Sequence, residues 1–115
     1  MGIWTREPTL DDGENVTWRR PANRTQGGRA VGGTLYLTST RLRFEPNRMD
    51  ALMGGRSWSA PRTSVTAVGT EARTGGLFDG GMRNRLRVDL REGAPELFVV
   101  GKLDETIETL RAALG

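Results

Sequence analysis

The sequence predicts an all-β domain that ends in one α-helix. Apolar and polar residues alternate in short segments along most of the chain, and this period of two is typical of half-buried β-strands. Residues that favour turns separate these segments. The last segment instead has apolar residues spaced by four, three and four positions, which places them on one face of a helix. They are Leu103, Ile107, Leu110 and Leu114.

The clearest element is a β-hairpin. Leu35 and Leu37 share one face of its first strand. Leu42 and Phe44 share one face of its second strand, and the hydroxyl-bearing residues 38–40 favour a turn between the strands. Because the apolar residues alternate in both strands, one face of the hairpin is expected to be buried in a core.

The remaining elements follow from the same pattern. Pro21 is expected to end the first strand because proline cannot donate a ladder hydrogen bond, which leaves 21–28 as a loop. One turn of helix is expected within 48–55, and Asp104 is a favourable N-cap for the last helix. The predicted strands are 14–20, 29–37, 41–45, 56–60, 66–71, 83–90 and 96–100. Seven strands followed by one amphipathic helix indicate an antiparallel sandwich or barrel whose open end is closed by the helix.

The hairpin sequence is similar to a motif of a known family. The matching residues, after a Gly-Glu-x-Val segment at 13–16, are Gly33, Leu35, Tyr36, Leu37, Thr38, Arg41, Leu42 and Phe44. This pattern resembles the GRAM domain of the pleckstrin-homology-like superfold, over residues 13–114. The resemblance implies a seven-stranded orthogonal sandwich or barrel, in which a four-stranded and a three-stranded sheet pack together and the C-terminal helix caps a corner. It also implies one domain at 13–115 and a structural role for Arg41, and we expect 1–12 to be a loosely packed lead-in.

The residue types present argue against catalysis. The chain has no histidine and no cysteine, so the commonest general base, the thiolate nucleophile and the usual zinc ligands are missing. Paired glycines occur at several positions, but none is followed by the Lys-Ser/Thr of a phosphate loop. Asp11, Asp12 and Glu14 lack the spacing of a calcium loop and are expected to solubilise the lead-in. We therefore expect a non-enzymatic protein without a metal or a cofactor.

Charge and hydropathy limit the classes of partner and the location that we expect. Lys102 is the only lysine among 17 basic residues, yet the formal net charge is only +3. Arginine suits bidentate contacts to phosphate and carboxylate groups, although a GC-rich genome would give the same bias without any functional meaning. The low net charge and the scattered aromatic residues make nucleic acid an unlikely partner class. Without a secretory signal or an apolar run of about 20 residues, the expected location is the cytoplasm.

The first candidate surface is basic and lies around the loop between the first two predicted strands. In phosphoinositide-binding relatives of the superfold, the corresponding loop holds the lipid headgroup. The second strand here begins Arg-Ala-Val-Gly, so it lacks the alternating basic residues that assist such binding. Two interpretations stay open: weak, charge-driven binding of an anionic lipid, or a solvated basic loop. The residues concerned are Arg19, Arg20, Arg24 and Arg29.

Two rows of arginines form the second candidate surface. The rows are expected on different sheets, so they do not add up to one basic patch. On the sixth strand, Leu86, Val88 and Leu90 are expected to face the core and the arginines to face outward. Glu71 and Glu96 are expected to flank that strand in a ladder of ion pairs. The arginines are Arg41 and Arg43 in one row and Arg83, Arg85 and Arg87 in the other.

The third candidate surface is apolar. Leu52 and Met53 lie in one predicted loop, and Leu77 and Phe78 lie in another. Exposed apolar loop tips indicate a protein partner or shallow membrane insertion, whereas the alternative is that they fold back over the open end of the barrel. The leading hypothesis is a non-enzymatic, GRAM-like adaptor that binds another protein or associates with itself. It would act either in solution or at the inner face of the membrane. The alternative is a module that binds anionic phospholipid headgroups through the basic loop.

Overall fold

The protein is all-β with one long C-terminal helix, as the sequence predicts. The computed structural model describes residues 6–76 and 81–114. The strands are β1 (Val16–Gln26), β2 (Arg29–Thr38), β3 (Arg41–Pro46), β4 (Trp58–Pro61), β5 (Val65–Glu71), β6 (Arg85–Leu90) and β7 (Glu96–Val100). The α-helices are α1 (Arg48–Leu52), the single turn expected in this region, and α2 (Leu103–Leu114). One turn of 3-10 helix, Arg62–Ser64, precedes β5.

The strands form one antiparallel sheet in the order β4-β3-β2-β1-β7-β6-β5. Phe44 on β3 and Phe98 on β7 have ring centroids only 5.9 Å apart, although two strands separate them in the sheet. In a flat sheet these strands would lie about 14 Å apart, at roughly 4.8 Å per strand. The sheet therefore curls until its two halves face each other across the core.

Continuity through β1 corrects the expectation that β3 and β6 belong to separate sheets. β1 pairs with β2 from Val16 to Gln26 and with β7 from Ala22 to Arg24, so one strand joins the two halves. Pro21 does not end β1, because it pairs with Thr34 of β2 and lies just outside the segment that β7 also pairs. A proline is tolerated where one side of a strand has no ladder partner.

The core fills the concave side of the curled sheet. Its members are apolar residues at alternate strand positions together with the buried face of α2. Ile107 and Leu110 are buried, and Leu103 and Leu114 pack against the same cluster, which confirms the predicted apolar stripe. Helix α2 contacts β5 and β6 and therefore covers this part of the sheet.

The residues before β1 are attached to the outer face of β2 and β3. The Tyr36 hydroxyl donates to the backbone carbonyl of Arg6 at 3.0 Å. Arg43, which pairs with Tyr36 across the two strands, donates to the carbonyl of Thr9 at 2.5 Å. The expected loosely packed lead-in is thus, from residue 6 onward, held by specific hydrogen bonds to the sheet.

Candidate functional site

The four arginines predicted to bind an anion do not converge. Arg19 pairs with Glu7 at 3.2 Å. Adjacent strand residues point to opposite faces, so Arg20 is directed elsewhere and donates to the Thr106 hydroxyl at 2.7 Å. The role of these arginines as an anion site stays a prediction, but in the structure Arg19 and Arg20 contact different residues.

The other two members of that set are also engaged. Arg24 pairs with Glu96 at 2.7 Å, and both side chains are more than four-fifths buried. Arg29 donates to the carbonyl of Met53 at 2.6 Å. Arg29 therefore belongs, by contact, to the apolar loop that the sequence treats as a different surface.

Exposed apolar residues lie together on α1 and its C-terminal end. Leu52 is 84% exposed and Met53 is 65% exposed, so they do not fold back over the core. Met49 lies three positions before Leu52 on the same helix and is also exposed, a neighbour that sequence reasoning missed. Leu77 and Phe78, the other predicted apolar pair, lie outside the described residues.

Three arginines border these side chains. Arg48 opens α1, Arg56 follows it, and both are exposed, while Arg29 approaches from β2. We call this surface the α1 patch; it comprises Met49, Leu52, Met53, Arg29, Arg48 and Arg56. The mixture of protruding apolar side chains and a cationic border suits an anionic surface that also offers apolar contacts.

Local contacts fix the α1 patch on the sheet. The Asn47 side chain caps α1 by accepting from the backbone N–H of Asp50 at 2.8 Å. Gln26, at the tip of the β1–β2 hairpin, donates to the Gly54 carbonyl and accepts from the Arg56 N–H. At Gly55 a Cβ atom would lie 2.7 Å from the Asp50 carbonyl oxygen, so only glycine fits. The turn that carries the exposed apolar side chains is therefore held in place by hydrogen bonds.

A second set of charged residues is compensated within the fold. The Glu14 carboxylate is 1% exposed and accepts from Nε and Nη2 of Arg41, at 3.0 and 2.5 Å. It also accepts from the Thr38 hydroxyl at 2.5 Å and from the Asp11 backbone N–H. The hydrogen bond from Arg41 lowers the pKa of Glu14 well below its ordinary value, against the opposing effect of burial.

These contacts correct one expectation and confirm another. Glu14 does not solubilise the N-terminal segment, because it is buried against the β2–β3 turn. Arg41 has the structural role that the family resemblance implies, since both of its hydrogen bonds to Glu14 stay inside the fold. We call Glu14, Thr38 and Arg41 the hairpin cluster.

On β6 the ion-pair ladder forms only in part. Arg87 pairs with Glu71 of β5 and with Asp89 of its own strand, both at 2.9 Å. Glu96 pairs with Arg24 of β1 instead of with an arginine of β6. The acidic groups that border this face of the sheet are therefore occupied by Arg87 and Arg24.

Arg85 departs from the expected outward, solvated position. It is only 3% exposed, and Leu86 and Val88 are fully buried beside it. Its one hydrogen bond within the described residues goes to the Thr25 hydroxyl at 3.4 Å, and its Nε has no partner there. No carboxylate of 6–76 or 81–114 lies within 4 Å of this guanidinium. A buried arginine without an anionic partner is rare in folded proteins.

Next to Arg85 in the chain is a surface depression of about 320 Å³. Three cationic side chains line it from three segments: Arg73 after β5, Arg83 before β6, and Lys102 between β7 and α2. Within the described part of the chain, none of the three forms an ion pair. We call this the basic depression; its other lining residues are Met82, Asn84, Val100 and Leu103.

Two further depressions adjoin the first. One, of about 170 Å³, shares Arg83 and Val100 with it. The other, of about 300 Å³, shares Lys102 and is also lined by Arg20. Lys102 has φ of +49°, a left-handed conformation that glycine or asparagine would adopt at lower cost. Sequence reasoning missed Arg73 and Lys102 because they belong to loops that are distant in the sequence.

An apolar cavity of about 230 Å³ lies between β5 and the C-terminal end of α2. Arg111 lines it and donates from Nε to the backbone carbonyl of Val68 at 2.7 Å. Because β5 is an edge of the sheet, this contact covers part of a strand edge with a charged side chain. The side chain of Arg111 therefore forms part of the cavity wall.

The described residues provide neither a metal-binding cluster nor a membrane-spanning helix. No group of three or more acidic, histidine or cysteine residues within 6–76 and 81–114 is placed to hold a metal ion. In the same part of the chain, neither helix has the length and apolar character needed to cross a membrane.

Comparison with known proteins shows the fold alone. No protein-family model and no curated protein sequence matches the chain. The structure is similar to the crystal structure of the C-terminal domain of an unknown protein from Leishmania infantum, with a TM-score of 0.68 and 12% identity. The similarity covers 90% of this chain and 86% of the other. The same arrangement of strands and helix is thus found in a protein of very different sequence.

Proposed function

We propose that this chain is a non-enzymatic, GRAM-like binding module that attaches to an anionic membrane surface through the α1 patch. The observation that carries the proposal is the exposure of Leu52 and Met53 on a turn that hydrogen bonds hold in place, next to arginines. Apolar side chains of this kind enter the headgroup region, while nearby cations attract acidic lipids. The protein would lie at the surface of the bilayer, on its anionic inner face.

The distribution of charge supports a lipid surface over self-association. In a two-fold dimer formed through this patch, Arg48 and Arg56 of one copy would approach the same residues of the other. Like charges brought together at an interface oppose binding. An anionic bilayer instead offers negative charge over the whole area of the patch.

A protein partner with an acidic, apolar surface is the second candidate. Two of the three apolar residues of the patch are methionines, whose flexible side chains adapt to protein surfaces of different shape. The patch contains no aromatic residue, a type that is enriched at membrane interfaces. This candidate keeps the adaptor role that the sequence predicts and replaces the lipid with a protein.

Flotation of the purified protein with vesicles tests the membrane proposal. We expect flotation with vesicles of phosphatidylcholine and phosphatidylserine, and none with phosphatidylcholine alone. Leu52→Ser combined with Met53→Ser should abolish it, because the inserted apolar area is lost. Leu10→Ser is a matched control, since Leu10 is exposed but lies outside the patch.

Two results would contradict the membrane proposal. One is equal flotation of the wild type and the double variant, which would place the lipid contact elsewhere. The other is no flotation of the wild type at low or physiological ionic strength. In that case sedimentation velocity of both proteins would test self-association, which the arginine border disfavours.

A further inference from the structure

We propose that the basic depression is a binding site for a ligand with two or more phosphate groups. The site lies apart from the α1 patch in its lining residues, and the proposal does not rest on membrane attachment. Arg73, Arg83 and Lys102 converge on one depression from three segments of the chain. Arg85, almost fully buried, lies two positions after Arg83 in the chain and is not itself part of the lining.

Among the described residues, no ion pair compensates these cations. Glu71 and Asp89 pair with Arg87, and Glu96 pairs with Arg24. On the first turn of α2, Glu105 lies 3.6 Å from Arg20. Glu71, Asp89, Glu96 and Glu105 are thus engaged with other arginines, whereas Asp104, which follows Leu103 in the chain, is exposed and forms no ion pair within the described residues. A bound anion would supply the negative charge that the described residues do not provide.

The buried Arg85 gives independent support. Its guanidinium has lost most of its contact with water, while its Nε has no hydrogen-bond acceptor among the described residues. A charge removed from water without a counter-ion raises the energy of the folded protein. Arg83, which lines the depression, is only two positions from Arg85 in the chain, so an anion held there would reduce this cost through its electrostatic attraction for the buried guanidinium.

Size and charge indicate phosphate chemistry. The depression of about 320 Å³ has roughly ten times the volume that one water molecule occupies in the liquid, so it accepts more than one small anionic group. A phosphate ester carries nearly two negative charges at neutral pH, whereas a carboxylate carries one. Balancing the three lining cations therefore takes more than one carboxylate and suits a ligand with two phosphate groups, and arginine binds phosphate with two parallel hydrogen bonds.

Polar groups around the site suit such a ligand. Asn84 lines the basic depression, and Asn23 lines the adjoining one beside Arg83. Their side-chain amides can donate hydrogen bonds to phosphate oxygens. Lys102 keeps a long cationic side chain at a left-handed backbone position, directly before α2. Lys102 lines both the basic depression and the adjoining one of about 300 Å³.

Titration calorimetry with inorganic tripolyphosphate tests the site without any lipid. We expect saturable binding of one molecule per chain at physiological ionic strength. Arg73→Gln combined with Arg83→Gln should weaken it roughly tenfold or more, since two charge-assisted contacts are lost. Arg6→Gln combined with Arg91→Gln is the matched control, because it removes the same charge from exposed residues outside both the basic depression and the α1 patch and should leave the affinity unchanged.

A parallel arm distinguishes the source of the phosphate. Flotation of the Leu52→Ser, Met53→Ser protein, whose α1 patch is disabled, with phosphatidylcholine vesicles that contain phosphatidylinositol bisphosphate would assign the site to a lipid headgroup if it is lost when Arg73 and Arg83 are also replaced by glutamine. Calorimetric binding without such flotation would assign it to a soluble phosphate compound. The proposal is overturned by absence of tripolyphosphate binding, or by equal weakening in both double variants, which would mean that only the net charge matters.

Discussion

Two groups of arginines in this protein are in opposite electrostatic situations. In the hairpin cluster, Arg41 forms two hydrogen bonds to the buried Glu14 carboxylate. Around the basic depression, Arg73 and Arg83 form no ion pair in the described part of the chain, and the buried Arg85 has only a long contact to a hydroxyl. The residue type is the same, but within 6–76 and 81–114 only the first group has its charge balanced by a carboxylate.

This difference indicates where stability and binding reside. A paired, buried arginine holds two segments together, and removing its partner leaves a charge that water cannot reach. An unpaired arginine contributes little to folding and is free to meet an external anion. Substitutions in the two groups should therefore have different consequences, and the following experiments test that contrast.

The largest effect is expected for Glu14→Gln. The amide cannot replace the carboxylate as the ionic partner of Arg41, so the free energy of unfolding should fall by about 2 to 3 kcal/mol. Urea titration followed by circular dichroism measures this change. A loss below about 0.5 kcal/mol, the usual range of surface substitutions, would show that the cluster does not stabilise the fold.

Acid should weaken the same cluster. The pKa of Glu14 is lowered in the folded protein, so its stabilising effect is complete above the ordinary value of 4.5 and is lost as the pH falls below it. Unfolding free energies measured between pH 7 and pH 3 should fall more steeply in the wild type than in Glu14→Gln. Parallel curves for the two proteins would contradict this assignment.

A smaller loss is expected from Arg24→Gln. This residue pairs with Glu96 in a mostly buried position, and we expect a decrease in unfolding free energy of about 1 kcal/mol. Arg19→Gln is the control, because Arg19 and Glu7 are both substantially exposed and such pairs contribute roughly 0.2 to 1 kcal/mol or less. Thermal unfolding of the two variants should rank Arg24→Gln as the less stable.

For the buried Arg85, substitution is not expected to lower the stability of the protein. Arg85→Met replaces an uncompensated guanidinium with an apolar side chain of similar length, so stability should be unchanged or higher by about 1 kcal/mol. The same replacement at Arg41 would leave Glu14 buried without its partner and should destabilise the protein. If Arg85→Met is as harmful as Arg41→Met, then Arg85 is structural and the contrast between the two groups fails.

Strand periodicity was sufficient for the fold, and its errors arise where the pairing of distant strands decides the outcome. The apolar alternation of β2 and β3 and the stripe on α2 depend on neighbouring residues, so the sequence predicts them directly. Pro21 was expected to end β1, but whether a proline is tolerated depends on which strands pair beside it. That information is tertiary.

The candidate sites show the same limit more strongly. The sequence indicates Leu52 and Met53 as apolar loop residues but leaves open whether they are exposed or fold back over the barrel, and the structure shows that they are exposed. The basic depression joins loops separated by almost thirty positions in the sequence, and no local pattern connects Arg73 with Lys102. Similarly, Arg85 and Arg87 alternate with apolar residues of β6 in the same way, and nothing in this pattern shows that Arg85 is buried.

The most direct test of the contrast is thermal unfolding of the Arg73→Gln, Arg83→Gln variant with and without tripolyphosphate. Without the anion, the account predicts a melting temperature within about 2 °C of the wild type, because these arginines do not stabilise the fold. With the anion, the wild type should melt at a higher temperature and the variant should not. A variant that melts well below the wild type without anion, or gains as much from it, would contradict the account.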